Sequence, residues 1–364
     1  MLETIWPVLV HVLVFLLGAC IGSFLNVCIY RLPYEKSVLW PGSRCGHCYQ
    51  PIRLRDNIPL LSYWLLRGRC RTCGTRFSMR YFFVELFTGL CFVGLFHLEV
   101  FVNIHGLDVL KAQKIYIDLG IIPYEGWVLF GYHAVLLCFL LTASFIDIDH
   151  QEIPLSLTIT GTAIGLIGSV LWPWPWPLTP AQATAGIPPG VPWSELPPGI
   201  GPKPGLYAWP VWGPLPRWLE PGGNWQTGLA TGLAGMLAGM LVLRAISFLF
   251  RAGRGKEGLG LGDADFMMMA GSFLGWQPIV LAFFVAVFPG LIFGIAQLIL
   301  RGNQLLPFGP SLAIGIVVTM LGWRWIGPPF QMLFFNGSIL VTLAVMGGGF
   351  LLLTSWLLRF LRRD

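Results

Sequence analysis

The chain has 364 residues, of which 55% are hydrophobic and 11% charged, with eight cysteines and a formal net charge of +6. Globular chains average about 25% charged residues, so this composition excludes an ordinary soluble domain and points to an integral membrane protein. The apolar runs are long and continuous rather than alternations of about ten residues, which excludes a transmembrane barrel and predicts an all-α polytopic fold. The excess of positive charge does not argue for nucleic acid, because the basic residues gather in one loop and at the ends of apolar runs, where they orient helices in a bilayer.

Residues 1–30 hold the first predicted transmembrane helix, an apolar run over 5–30 that begins near Glu3 and ends at Arg31. It is too long, and its start too acidic, for a cleaved signal peptide. Its basic flank places the N-terminus outside and residue 31 inside. Residues 31–80 are then a polar loop carrying Arg31, Lys36, Arg44, Arg53, Arg55, Arg67, Arg69, Arg71, Arg76 and Arg80 against Glu35 and Asp56. A short loop so rich in Arg and Lys stays in the cytoplasm.

Residues 81–172 return through the bilayer. A helix over 81–102 leads out, 103–126 lies outside, and a helix over about 127–146 brings Asp147 and Asp149 to the cytoplasmic face. A further helix over 153–172 leads out again. From Trp172 to Gly223 the sequence repeats Trp-Pro and Pro-Pro-Gly, a proline density that no helix sustains, so 173–223 is expected to be an external insertion.

Residues 224–364 hold the remaining helices. The run over 224–250 carries glycines at 228, 232, 235 and 239 that permit close helix packing, and Arg251, Arg254 and Lys256 follow it. The run from Asp263 to Trp276 would be only about 21 Å long against a hydrocarbon core of about 30 Å, so it is short or partly immersed. Runs over 278–300, 311–323 and 335–358 complete about eight or nine crossings, the last ending at Arg359, Arg362 and Arg363.

Two constellations carry chemistry. Cys45-Gly-His-Cys48 and Cys70-Arg-Thr-Cys73 have about the spacing of a zinc ribbon, in which two turns contribute four thiolates to a closed tetrahedral site. The cytoplasm is reducing, which makes disulfides a poor alternative. Four cysteines fill the metal's shell, so His47 is expected to face solvent and the zinc to be structural. Cys20, Cys28, Cys91 and Cys138 lie in apolar runs, where a thiol acts as a small hydrophobe.

The second constellation is acidic. Gly260-Leu-Gly262-Asp263 follows one apolar run, and Asp147 ends another that reaches the same face. Two carboxylates hydrolyse a peptide when one is ionised and takes a proton from water while the other is protonated and polarises the carbonyl. Asp149, Glu152, Glu257 and Asp265 compete with Asp147 and Asp263 for these roles, and spacing does not choose among the six.

These motifs together resemble the type IV prepilin leader peptidases, of the GxGD class of membrane aspartyl proteases. The resemblance rests on Gly22-Ser-Phe-Leu-Asn-Val27 with Arg31-Leu-Pro33, Asn57-Ile-Pro-Leu-Leu-Ser-Tyr63, both cysteine pairs and Tyr81 through Glu85. It continues through Ile146-Asp-Ile-Asp-His-Gln151, Gly260-Leu-Gly-Asp263 and Pro307-Phe-Gly-Pro310. It implies that Asp147 and Asp263 are catalytic, with Asp149, Gly260 and Gly262 in support.

It further implies an inner-membrane endopeptidase that removes the basic leader of type IV prepilins and type II secretion pseudopilins, cutting after a glycine at the cytoplasmic face. Many members also methylate the new N-terminus with S-adenosylmethionine, and the intact cysteine pairs keep that activity open here. The partners implied are these substrates and the lipid bilayer, with no nucleic acid. The chain departs from the family pattern at Asp265, where lysine is usual, and at Glu152-Ile-Pro-Leu155, where the family has Leu-Leu-Pro-Asp. Asp265 is expected to add negative charge beside Asp263. The alternative reading is a membrane transporter or scaffold with a zinc-stabilised loop, since acids at membrane depth also serve proton pathways.

Overall fold

A computed structural model describes residues 2–172, 225–255, 260–301, 307–335 and 337–361. The expected insertion at 173–223 and Glu257 lie outside these described residues. The chain divides into two compact units, one of Met1–Ile104 with Asp108–His150 and one of His105–Leu107 with Gln151–Asp364.

The first unit contains α1 (Leu2–Arg31), α2 (Leu61–Leu65) and α3 (Arg80–Phe96), which runs into a π-helical turn at His97–Phe101. It continues with α4 (Asp108–Ala112), α5 (Lys114–Asp118) and α6 (Tyr124–His150). Helices form here because a chain in lipid must satisfy its backbone hydrogen bonds within each segment. The motif beginning at Gly22 explains how α1 meets α3. A Cβ at Gly22 would fall 2.8 Å from the Glu85 Cα, so only glycine lets the two backbones approach this closely. One turn on, the Asn26 side-chain amide donates to the Tyr81 carbonyl at 3.1 Å. The Glu85 carboxylate in turn accepts the Leu60 N–H at 2.7 Å and ties the polar loop to α3. At the other end of α3, Glu99 and His133 form a fully buried pair that joins the π turn to α6.

The second unit contains α7 (Leu155–Leu171), α8 (Trp225–Arg254), α9 (Leu261–Leu274), α10 (Trp276–Arg301), α11 (Gly309–Phe335) and α12 (Gly337–Leu361). The short α9 lies against both α7 and α8. The expected glycine stripe of α8 makes this contact. A Cβ at Gly235 would sit 2.0 Å from the Gly271 carbonyl oxygen, and one at Gly239 would sit 2.2 Å from that of Met267. On the other side, Gly165 of α7 faces Ser272 and Phe273. Phe266, Met267, Met269, Ala270 and Leu274 are buried almost completely, so protein surrounds α9 and its shortness costs no exposed backbone.

Among the described residues, seven helical stretches are long and apolar enough to cross a membrane: Ile5–Tyr34, Arg80–Phe101, Tyr124–His150, Trp225–Arg254, Trp276–Leu300, Gly309–Gly327 and Gly337–Leu357. The apolar α7 is shorter. Against the eight or nine crossings expected, the seven long helices and the shorter apolar α7 account for eight apolar helices, and no strand occurs among the described residues. Apolar side chains such as Val345 and Phe350 of α12 are about 70% exposed, as lipid-facing positions are. Two expected boundaries move. The helix expected over 311–323 extends to Phe335, passing Arg324 and Pro328-Pro329, and the next begins at Gly337. The helix expected over 127–146 runs on to His150, so the acids lie on the helix itself rather than after it.

Candidate active site and metal centre

The two cysteine pairs fold as matching turns. Cys45 N–H donates to the Gln50 carbonyl and Tyr49 N–H to that of Cys45, both at 3.0 Å. Cys70 and Gly74 repeat the pattern, with Cys70 N–H donating to Thr75 and Gly74 N–H to Cys70, both at 2.9 Å. The fifth residue of each turn has positive φ, 56° at Tyr49 and 69° at Gly74. That reversal sends each chain back antiparallel, pairing Arg44 with Pro51 and Arg69 with Arg76. All four sulfurs lie within 4.8 Å of one another, with Cys45 and Cys73 at 3.8 Å. A tetrahedron with Zn–S bonds of about 2.3 Å has edges of about 3.8 Å, so the spacing suits zinc and is far too long for a disulfide.

Local hydrogen bonds and crowding move three of these thiols in different directions. Cys73 is held down to about 6, first by the Thr75 hydroxyl and then by the Thr75 backbone. Cys45 is lowered by the backbone N–H groups of Cys48 and His47. At Cys48 the Gln50 backbone also lowers the value, yet burial and the crowding sulfurs of Cys73, Cys45 and Cys70 push it up to about 11. Four thiols this close hold either protons or a cation. His47 is exposed, as expected of a turn residue outside the donor set. Beside the centre, Arg71 grips Asp56 with both nitrogens, at 2.8 Å from Nε and 2.6 Å from Nη2, which holds the Asp56 carboxyl below its usual range.

Asp147 stands in the last turn of α6 and is buried, 5% exposed. Asp149 lies farther out and pairs with Arg80 at 2.5 Å, while the His150 ring meets the edge of Tyr34 at 5.7 Å. The helix stops where Gln151 takes φ 55° and Pro154 follows. Glu152 is exposed beyond it.

In the second unit, Gly260 is the N-cap of α9 and its N–H donates to the Asp263 carboxylate at 3.3 Å, so Asp263 closes the helix start. Gly262 passes Ile153 closely enough that an added Cβ would meet it at 3.3 Å. A carboxylate in the first turn of a helix is favoured by the dipole, and one in the last turn is disfavoured. Asp263 and Asp147 occupy these two kinds of position. Asp265 does not add a loose charge beside Asp263, because Arg244 of α8 meets it at 3.1 Å.

Both cysteine turns lie inside the match to the Bacterial Peptidase A24 N-terminal domain, which covers residues 16–98. Both acids lie inside the match to the Type IV leader peptidase family, over 134–213 and 219–295. The chain belongs to the type IV leader peptidase family.

Among the relatives of this family member is the Type 4 prepilin-like proteins leader peptide-processing enzyme of Escherichia coli, 30% identical over 333 residues that cover 86% of this chain and 95% of the relative. A Prepilin leader peptidase/N-methyltransferase of Aeromonas salmonicida is 29% identical over 344 residues, covering 86% and 91%. That of Myxococcus xanthus is 38% identical over 156 residues, covering 43% and 39%. No solved structure matches the chain.

Sequence reasoning missed the arginines. Arg80 read only as an orienting charge at a helix start, yet it holds Asp149 and lies 5.8 Å from the Phe145 ring. Arg244 was legible as a lone cation inside an apolar run, a residue type that deserves a partner. That partner, Asp265, is on another helix and could not be read from spacing.

Proposed function

We propose that this membrane enzyme removes the leader peptide of type IV prepilins and type II secretion pseudopilins as an aspartyl endopeptidase, with Asp147 and Asp263 as its two carboxylates. The observation that carries the reading is the family match, which spans both acids, the second part of α6 and all of α9. The relatives' printed names extend it to N-methylation of the new N-terminus.

In this mechanism the ionised carboxylate takes a proton from water as the water attacks the scissile carbonyl. The protonated one donates to the carbonyl oxygen and takes that proton back as the tetrahedral intermediate collapses, while the proton drawn from water passes to the leaving amine nitrogen. Asp263, at a helix start, is the better placed to be the ionised partner. Two carboxylates that meet at one water share a single proton, because like charges cannot both ionise side by side. The cut falls at the cytoplasmic face of the inner membrane, the side on which the basic loop 31–80 is held. Cys45, Cys48, Cys70 and Cys73 would hold a structural zinc, which would brace this loop rather than act on the peptide. S-adenosylmethionine, when bound, supplies the methyl group for the freed amine.

The test is to incubate membranes containing the protein with a prepilin and S-adenosylmethionine and to weigh the products. A product shortened by the leader is expected, and one heavier by a methyl group if the second activity operates. An uncut prepilin, with proton movement in liposomes instead, would favour a transporter.

A further inference from the structure

Asp147 and Asp263 share an arrangement that the reaction does not require. Each is followed two residues later by another carboxylate, and each of these is held by an arginine from a different helix of the same unit. Arg80, at the start of α3, meets Asp149 of α6 at 2.5 Å. Arg244 of α8 meets Asp265 of α9 at 3.1 Å. Two residues along an α-helix turn it by about 200°, so neighbours at this spacing leave it on nearly opposite sides. Fixing where the second acid points therefore fixes where the first one points.

We infer that Arg80–Asp149 and Arg244–Asp265 are positioning pairs that set the rotation of the two helix turns carrying Asp147 and Asp263. The inference rests on the reading of those two acids as the peptidase carboxylates. The packing of α8 on α9 supports it independently. Gly235 faces Gly271 and Gly239 faces Met267, an antiparallel register that advances one turn at each step. The next step sets residue 243 level with residue 263. These glycine contacts fix the spacing of the helices but end before the first turn of α9, and Arg244 takes over there. Its partner Asp265 has a side chain only 15% exposed, so its direction is constrained. On α6, Arg80 lies against Phe145 as well as Asp149, which are one turn apart on a single face.

The experiment uses the full chain in nanodiscs, with kcat and KM for prepilin cleavage and the midpoint of thermal unfolding measured for each variant. Arg244→Gln and Asp265→Asn are expected to lower kcat about 100-fold, the scale on which a 1 Å misplacement acts, while leaving KM and the midpoint near those of the unaltered chain. Arg80→Gln and Asp149→Asn should behave alike. Arg244→Lys and Arg80→Lys, which keep the charge, should recover at least tenfold of that loss. Unchanged kcat in the neutral variants would overturn the inference, as would a fall that follows the unfolding midpoint and is not recovered by lysine. An unaltered chain that cuts no prepilin overturns the peptidase reading itself, and this outcome is distinguishable because it precedes any variant.

Discussion

The cysteine loop and the carboxylate-bearing helices build their centres from different raw material. Each cysteine pair sits on a turn closed by its own backbone, Cys45 to Gln50 and Cys70 to Thr75, so half of the four-thiol cluster is specified within six residues. The acids depend on helices placed by partners distant in sequence: Arg80 for the end of α6, and Gly235, Gly239 and Arg244 for the start of α9. The loop should therefore fail locally when its metal is lost. The helical centre should fail when remote packing is disturbed.

Zinc removal is the most severe way to separate the two. Structural zinc is worth about 10–16 kcal/mol in small zinc-finger peptides, so a chelator should open residues 40–78 to hydrogen exchange while prepilin cleavage declines less. Equal loss of both at low chelator would show that loop and helices act as one unit. Next in size, Asp147→Asn or Asp263→Asn should cut cleavage by about 10²–10⁴-fold, the usual contribution of a general acid or base, without altering the zinc content. Full activity in either variant removes the assignment.

A remote break should be milder. Gly239→Leu forces a side chain onto the Met267 carbonyl, and overpacking of this kind costs about 1–3 kcal/mol. It should lower the thermal midpoint and the cleavage rate together and leave exchange in the loop unchanged. The smallest effect is expected at Asp56. Its carboxyl is lowered by Arg71, so the pair adds stability that is fully present above the unfolded carboxyl value near about 3.9 and is lost as pH falls through the folded value. Arg71→Gln should speed amide exchange around residues 54–57 at pH 7, and the difference from the unaltered chain should close below about pH 4. A difference that persists in acid would assign Arg71 a packing role instead.

Much of this was legible in the sequence because its signals are local. Apolar run length gave the helices to within a few residues except at α11, where Arg324 and Pro328-Pro329 looked like a boundary but the helix continues to Phe335. The glycines of α8 were legible as a packing stripe, although not the helix they pack against. Among the six candidate acids, spacing offered no choice. Asp147 is buried and Glu152 exposed, and arginines meet Asp149 and Asp265, surroundings that exist only once helices are side by side.

Composition and charge bias by themselves determined that the chain is a bundle of membrane helices with one basic loop, because lipid leaves the backbone few alternatives and positive charge resists crossing it. The CxxC spacing likewise determined two thiol-bearing turns suited to a cation, since each turn is completed by bonds within a few residues. Only the tertiary structure decided the surroundings of each acid. The direction of a side chain at a helix end depends on the rotation of that helix, and rotation is set by contacts such as Arg244 with Asp265 that no linear pattern encodes.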